Sequence, residues 1–289
     1  MAYECKIILD SVAPNGIRLC TFQITFPRII LAELNTHRAF SRNSASSRAI
    51  PVKKMIAKVM DDPFIPIYWG KNQKGMQAEQ ALTEDEQVLA EIDWEKARDY
   101  AVQSAYNLLN TGVHKQIANR LLEPFLWHEA IVSATDYANF FAQRCHPDAQ
   151  PEIRRIAEMM RDLYDTCVPS PVAEGQWHCP YLSAEDYGAI NTLAESGAYG
   201  AVEPSELAKH ISVARCARVS YLTQEGTRDL EADLALFRRL ITGTHWSPFE
   251  HVARAAVPSF TGSIGNFRGW LQFRKMFNDE NRKEYPHAN

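Results

Sequence analysis

The order of apolar and polar positions divides the chain into strand-like ends and a helical middle. Residues 5–11 and 17–26 read as two strands, and Pro14-Asn15-Gly16 between them predicts a tight reversal, so the two form a hairpin. Pro27 has no N–H to give to a ladder and ends the second strand. An apolar turn of helix, Ile29 to Leu34, then delivers a very polar stretch, Thr36 to Arg48. Pro51 suits the first turn of a helix that carries Val52, Met55, Ile56 and Val59 on one face. Residues 61–82, rich in Pro, Gly, Gln and Asn, predict an irregular excursion.

From Thr83 to Asn110 the pattern is helical, with Val88, Ile92, Ala97, Ala101, Ala105 and Leu108 as its stripe and Gly112 as its stop. A second helix is expected from His114 to Leu122, ending near Pro124, and a buried third from Trp127 to Arg144. Another begins near Pro151 and turns Ile153, Ile156, Met160 and Leu163 inward. Residues 166–208 carry Pro169, Pro171, Pro180 and Pro204 and read as a long irregular connection with short helices. Beyond it, Ile211 to Tyr221 reads as a helix or strand, and Thr227 to Thr242 as an amphipathic helix with Leu230, Leu234, Phe237 and Ile241 inward. A strand from Val252 to Phe260 follows. The chain closes on a cluster of arginines and aromatics from Gly265 to Lys275, including Arg268, Gln272 and Arg274.

At 289 residues and 46% hydrophobic the chain can bury a sizeable core as one large or two moderate domains. A formal charge of −4 argues against a general nucleic-acid or anionic-membrane binder, so clustered arginines are read as sites for small anions. No apolar run approaches the roughly 20 residues of a membrane span. The N-terminal Met-Ala-Tyr-Glu-Cys lacks a basic region followed by an apolar one, and a cytoplasmic location is expected. The six cysteines include no CxxC pair, which fits reduced thiols better than a disulfide framework or a zinc site. His178 and Cys179 adjoin, but no partner ligands lie at useful spacing, so no metal site is expected.

The stretch from Thr36 to Arg48 holds the densest chemistry: His37, Arg38, Arg42, Arg48, Asn43 and the hydroxyls of Ser41, Ser44, Ser46 and Ser47. Arginine presents a planar fork that grips phosphate or a carbonyl edge, and Ser and Asn add short donors. The competing reading is a solvated, serine-rich surface loop. There is no P-loop, no GxSxG elbow, no GxGxxG fingerprint and no HExxH, since His128-Glu129 lacks the second histidine. What remains binds and orients an anion, with the reactive group supplied by a cofactor.

His37, Arg38, Ser41, Asn43, Ser46 and Arg48 share their spacing with the signature of the flavin-dependent thymidylate synthases, with Thr36 in place of the family's first Arg and Ser44 in place of a common Glu. Asn139 to Arg144, followed by Ala149-Gln150-Pro151-Glu152-Ile153, resembles the segment in which that family carries its catalytic Arg. Gly112 to Leu121 resembles its phosphate-binding helix, with Asn119 or Arg120 as the counterpart and Arg120 favoured on charge. Ser247-Pro248-Phe249-Glu250-His251, with Ala217 to Tyr221 before it, is similar to a block that the family places ahead of its signature. Here it follows by about two hundred residues. The motif order is therefore permuted.

This resemblance implies methylation of dUMP to dTMP, with FAD, methylenetetrahydrofolate as carbon donor and NADPH as reductant, in a homo-oligomer that is a tetramer or a dimer. By the resemblance His37, Arg38, Ser41, Asn43, Asn139 and His251 hold flavin. Ser44, Ser46, Arg48, Arg120 and Arg144 bind substrate, and Arg144 and Ser46 are catalytic. Arg144 would stabilise charge at the N3–O2 edge of the uracil. Two rival readings remain: a flavin- and folate-dependent deoxyuridylate hydroxymethylase, and a non-catalytic nucleotide-binding homologue. The duller readings are a helix-capping Arg144 and a structural His251. The expected fold is α+β, a central antiparallel sheet built from both chain ends around a helical middle. It would form one catalytic domain, 1–289, divided into 1–60, 83–165, 166–208 and 209–289.

Overall fold

The computed structural model describes residues 3–221 and 229–281. The hairpin forms as read: β1 (Glu4–Val12) pairs antiparallel with β2 (Arg18–Pro27), and Gly16 takes a positive φ of 78° in the turn. A short helix α1 (Leu31–Asn35) follows. The polar stretch is not wholly a loop, because Ser41–Ser44 forms an edge strand, β3. Helix α2 (Val52–Asp61) buries Val52, Met55 and Val59.

Helix α3 (Glu84–Asn110) is capped by Thr83 and Glu86 in a reciprocal capping box. Its packed face keeps the second half of the expected stripe and not the first. Ala101 and Ala105 of that stripe do pack toward α2, joined by Trp94 and Val102, but Val88 and Ile92 at its start are exposed. After α4 (Lys115–Ala118), a 3-10 segment Asn119–Phe125 absorbs Pro124. The segment expected as one helix from Trp127 to Arg144 is a strand, β4 (Trp127–Ala134), followed by α5 (Ala138–Arg144). A continuous apolar run suits a strand buried on both faces as well as it suits a helix, so periodicity cannot separate them. Helix α6 (Pro151–Thr166) buries Ile153, Ile156 and Met160 as expected.

Residues 166–208 are more ordered than their composition implies. They hold β5 (Ser170–Pro171), β6 (Trp177–His178) and α7 (Ala184–Glu195), and Pro204 opens α8 (Pro204–Arg218). Helix α9 is Leu230–Thr242, and its expected start at Thr227 lies outside the described residues. The strand expected over Val252 to Phe260 shortens to β7 (Ala253–Ala255), with β8 (Ser263–Ile264), β9 (Phe267–Arg268) and β10 (Trp270–Gln272) after it.

The class is α+β, but the two chain ends do not share one sheet. The first sheet runs β3-β4-β2-β1-β5, with β5 parallel to β1 and the other pairs antiparallel. The second runs β6-β7-β10-β8-β9. The ends meet by packing: Ala13, Ile17 and Leu19 of the hairpin join Ala255, Phe267 and Trp270 in one apolar cluster. Asn15 Nδ2 donates to Phe260 O and Gly269 O, both at 2.9 Å. A Cβ on Gly269 would lie 2.4 Å from Ile17, so only glycine permits this approach.

The two faces of the first sheet differ. Cys20, Phe22, Ile24, Phe26 and Val132 pack against α5 and α6. The opposite face carries Thr21, Gln23, Thr25 and Ser133, all buried. Its cover is the C-terminal half, in which α7, α8 and α9 are joined by buried ion pairs: Arg215 to Asp186 at 2.8 Å and to Asp233 at 3.0 Å, and Arg218 to Asp233 at 2.7 Å. Asp233 has no exposed side-chain surface, and removing one partner of such a pair strands the others. Asp233→Asn should therefore lower the unfolding free energy by about 3 kcal/mol, measured by urea denaturation.

Candidate active site

Two groups of polar side chains grow from the segment between α1 and α2. The first surrounds a surface cleft of about 360 Å³. Strand β3 and the turn after it contribute Arg42, Ser44, Ser46 and Arg48, the 3-10 segment contributes Arg120, and the C-terminal half contributes Ser220 and Ser247. Pairing of β3 with β4 sets the direction of these serines, and Ser46 N–H donates to Ser220 O at 3.1 Å, tying the turn to the end of α8. Ser44, Ser46, Arg48 and Arg120, read from sequence as substrate ligands, thus line one cleft. The buried Asn119 instead spends its amide on Ser47 O and Ile50 O, at 2.6 and 2.9 Å, which holds that turn closed.

Two further residues belong to this cleft. Arg28 lines it, and Glu123 stands behind the cations. One oxygen of Glu123, Oε1, accepts from Arg120 Nη1 at 2.7 Å, Ser47 Oγ at 2.8 Å and Arg28 Nη2 at 3.4 Å. The signal for Glu123 was its position three residues after Arg120, on the same side of a helical turn. Burial pulls the Arg28 guanidinium below its usual pKa, and Glu123 opposes that. Arg48 lines the cleft and makes no ion pair among the described residues. Four guanidiniums against one carboxylate make the cleft a site for a small polyanion such as a phosphate.

The second group centres on Arg144, which does not line the cleft. Its Nε donates to His37 Nε2 at 2.9 Å and its Nη2 to Thr36 Oγ1 at 3.2 Å. Arg42 links the groups: it lines the cleft, and its Nη1 donates to Leu34 O at 3.1 Å and His37 O at 3.4 Å.

The remaining residues assigned to flavin by resemblance divide by exposure. Arg38 and Asn139 are exposed. Ser41 is fully buried and bonded to Gln272 Nε2 at 2.8 Å and Asn266 Nδ2 at 3.2 Å, and Asn43 donates to Cys216 O at 3.3 Å. Gln272 also donates to Glu250 O, Arg274 pairs with Glu250 and Glu280, and the exposed Arg268 pairs with Asp136 at 3.1 Å. Gln272 and Asn266 thus tie the second sheet to β3, while Arg268 and Arg274 are engaged in ion pairs elsewhere.

His251 is fully buried on a 3-10 turn, Ser247–His251, with Nδ1 2.8 Å from Ser133 Oγ. Ser133 bonds Thr21 at 2.6 Å, Thr21 bonds His178 at 2.9 Å, and His178 bonds Ser11 at 2.9 Å. This chain fills the polar face of the first sheet. Burial pushes both imidazoles down to about 3 from an ordinary 6.5, and His128, beside Arg28, falls to about 3 for the same reason.

Residues 18–170, just over half of the chain, match the family model for the thymidylate synthase complementing protein. The chain belongs to that family. The match spans the signature, Arg120 and Arg144 but ends before Ser220, Ser247 and His251. Among solved structures, a UMP/dUMP methylase PolB from Streptomyces cacaoi bound with 5-Br UMP is 16% identical at a TM-score of 0.47, covering 56% of this chain and 88% of that one. The same methylase bound with 5-Br dUMP is 20% identical at a TM-score of 0.41, covering 51% and 66%. No curated protein matches the chain.

Three of the four buried histidines among the described residues, His128, His178 and His251, are pushed to about 3 and the fourth, His37, to about 4, so they stay neutral in the folded protein, whereas the unfolded chain takes up protons below about 6.5. Stability is then full above that value and falls as the pH drops through the window from 6.5 toward 3, by about 1.4 kcal/mol per pH unit for each histidine. The thermal midpoint should fall steeply between pH 6.5 and 4.5, and His178→Asn should flatten that slope.

Proposed function

We propose that this protein is a flavin-dependent thymidylate synthase that methylates dUMP to dTMP, with methylenetetrahydrofolate as carbon donor and NADPH as reductant. The observation that carries the reading is the convergence of Ser44, Ser46, Arg48 and Arg120, from separate segments, on one cationic cleft in a chain of this family. In this reading Arg48, Arg120 and Ser46 take the nucleotide phosphate, Ser44 helps seat the substrate, and Arg144 presents its guanidinium to the N3–O2 edge of the uracil. A fixed cation at that edge stabilises negative charge developing on the ring.

The donor set fits a flavin in part. Arg38 and Asn139 have exposed polar groups to offer it, while His37, Ser41, Asn43 and His251 are buried, and each already has a partner within the chain. Arg38 and Asn139 would therefore hold FAD on an open face that a second copy of the chain completes, and the four buried residues would support that face from behind. When bound, the reduced flavin supplies the hydride and carries the one-carbon unit. No cysteine nucleophile is needed: burial raises Cys20, Cys179 and Cys216 above their ordinary pKa, and none is poised to react. Val88, Leu89, Ile92, Tyr100 and Tyr106, exposed along α3, support a homo-oligomer. Among the described residues no helix is long and apolar enough to cross a membrane.

Purified protein should be yellow and convert dUMP, methylenetetrahydrofolate and NADPH to dTMP, identified by mass. A hydroxymethyl product would move the assignment to the hydroxymethylase, and colourless protein that takes up no FAD would leave a nucleotide-binding homologue. Arg48→Ala and Arg120→Ala should each raise the KM for dUMP about 10- to 100-fold, the loss expected for one charged hydrogen bond. Arg144→Ala should abolish turnover with flavin still bound.

A further inference from the structure

Arg144 is held more tightly than a ligand-facing arginine on a short helix would be by its own helix. Phe140 lies one turn before it on α5, and the His37 ring meets both, packing edge-on to Phe140 at 4.8 Å and accepting the Arg144 Nε–H at 2.9 Å. The second face of the imidazole lies on Phe40, with centroids 5.8 Å apart. For Nε2 to accept, the ring must be neutral with its proton on Nδ1. Burial, with Arg144 and Arg42 alongside, lowers His37 to about 4 and keeps it so.

Thr36 makes the second contact. Its hydroxyl donates to Glu33 O at 2.7 Å, which leaves its lone pair directed to Arg144 Nη2 at 3.2 Å. Glu33 O also lies 3.5 Å from that nitrogen. One edge of the guanidinium, Nε and Nη2, is thus fixed by the turn, and Nη1 makes no hydrogen bond among the described residues. An arginine at position 36, as in the signature this chain resembles, has no acceptor to offer Nη2 and would set a second cation beside it. Threonine supplies the acceptor without the charge.

We infer that Thr36 and His37 are positioning residues that clamp the Arg144 guanidinium with its Nη1 side free for substrate, and that His37 is not a flavin ligand. The catalytic part of this inference rests on the reading of Arg144 given above, but the clamp itself does not.

Three variants test it: His37→Ala removes the acceptor, His37→Gln returns one, and Thr36→Val removes the other acceptor at an exposed site where folding is not at risk. His37→Ala and Thr36→Val should lower kcat about 10- to 100-fold, as expected for a misplaced catalytic group, with flavin content and the KM for dUMP unchanged. His37→Gln should recover most of the loss. Flavin lost from His37→Ala, or His37→Gln as impaired as His37→Ala, would overturn the assignment. A second readout needs no turnover and no flavin. In protein labelled with ¹⁵N-arginine, the Arg144 Nε–H signal, identified by its loss in Arg144→Lys, should be slow to exchange in the native chain and in His37→Gln. It should become solvent-like in His37→Ala. A native signal already like that of a free arginine would disprove the clamp, even in an active thymidylate synthase. A protected signal in a protein that makes no dTMP would keep the clamp and refute only the proposed function.

Discussion

Thr21 and Ser133 face each other across β2 and β4 on the side of the first sheet away from the helices, and the C-terminal half is built to satisfy them. A hydroxyl buried without a partner costs about 1–3 kcal/mol, so a purely apolar cover would be unfavourable there. His178 arrives on β6 and His251 on the Ser247–His251 turn, and each gives a ring nitrogen to one of the two hydroxyls. Further along the same face, Gln23 meets Glu129 and accepts from Tyr181 at 2.9 Å. The union of the two halves is therefore specified by hydrogen bonds at defined positions as well as by the apolar contacts around Leu19 and Trp270.

That union also shapes the site. Because His251 must reach Ser133, the turn that carries it lies against β3, and Ser247 at its start comes to the rim of the cationic cleft. Ser220, at the end of α8, is brought there by the same packing and fixes the backbone of Ser46. Glu123 plays the complementary part from within the N-terminal half. Four guanidiniums around one cleft repel one another, and one carboxylate oxygen that accepts from Arg28, Arg120 and Ser47 offsets that repulsion for two of them.

How much of this could be read from the chain alone depended on range. The hairpin, the capped α3, the inward face of α6 and the polar segment with its arginines follow from local patterning, and local patterning is what a sequence displays. Ser46, Arg48 and Arg120, which line the cleft, were picked out by the spacing that they share with the family's motifs, since their chemistry alone left a solvated loop as an equal reading. Trp127 to Ala134 misled because a strand covered on both faces loses its period of two. The strands at the two ends were expected in one sheet because both look like strands. What separates them is that β3 takes the edge beside β4 and β5 the edge beside β1, and β3 was hidden in a stretch whose serines read as loop. The partners of His251 were not legible, since a threonine or serine on an alternating strand reads as solvent-facing until something is known to cover it.

The contact between Asn15 and Gly269 joins positions 254 apart in the chain. Asn15 is made 254 residues before Gly269, so on the ribosome the β1–β2 turn waits for that length of chain before its amide finds this carbonyl. Until then the polar face of the first sheet stands open, with its hydroxyls in water and its strands only half covered. Closure over such a distance is entropically slow. The strands β7, β9 and β10 in that sense complete a cluster whose other half, on the hairpin, is made long before them.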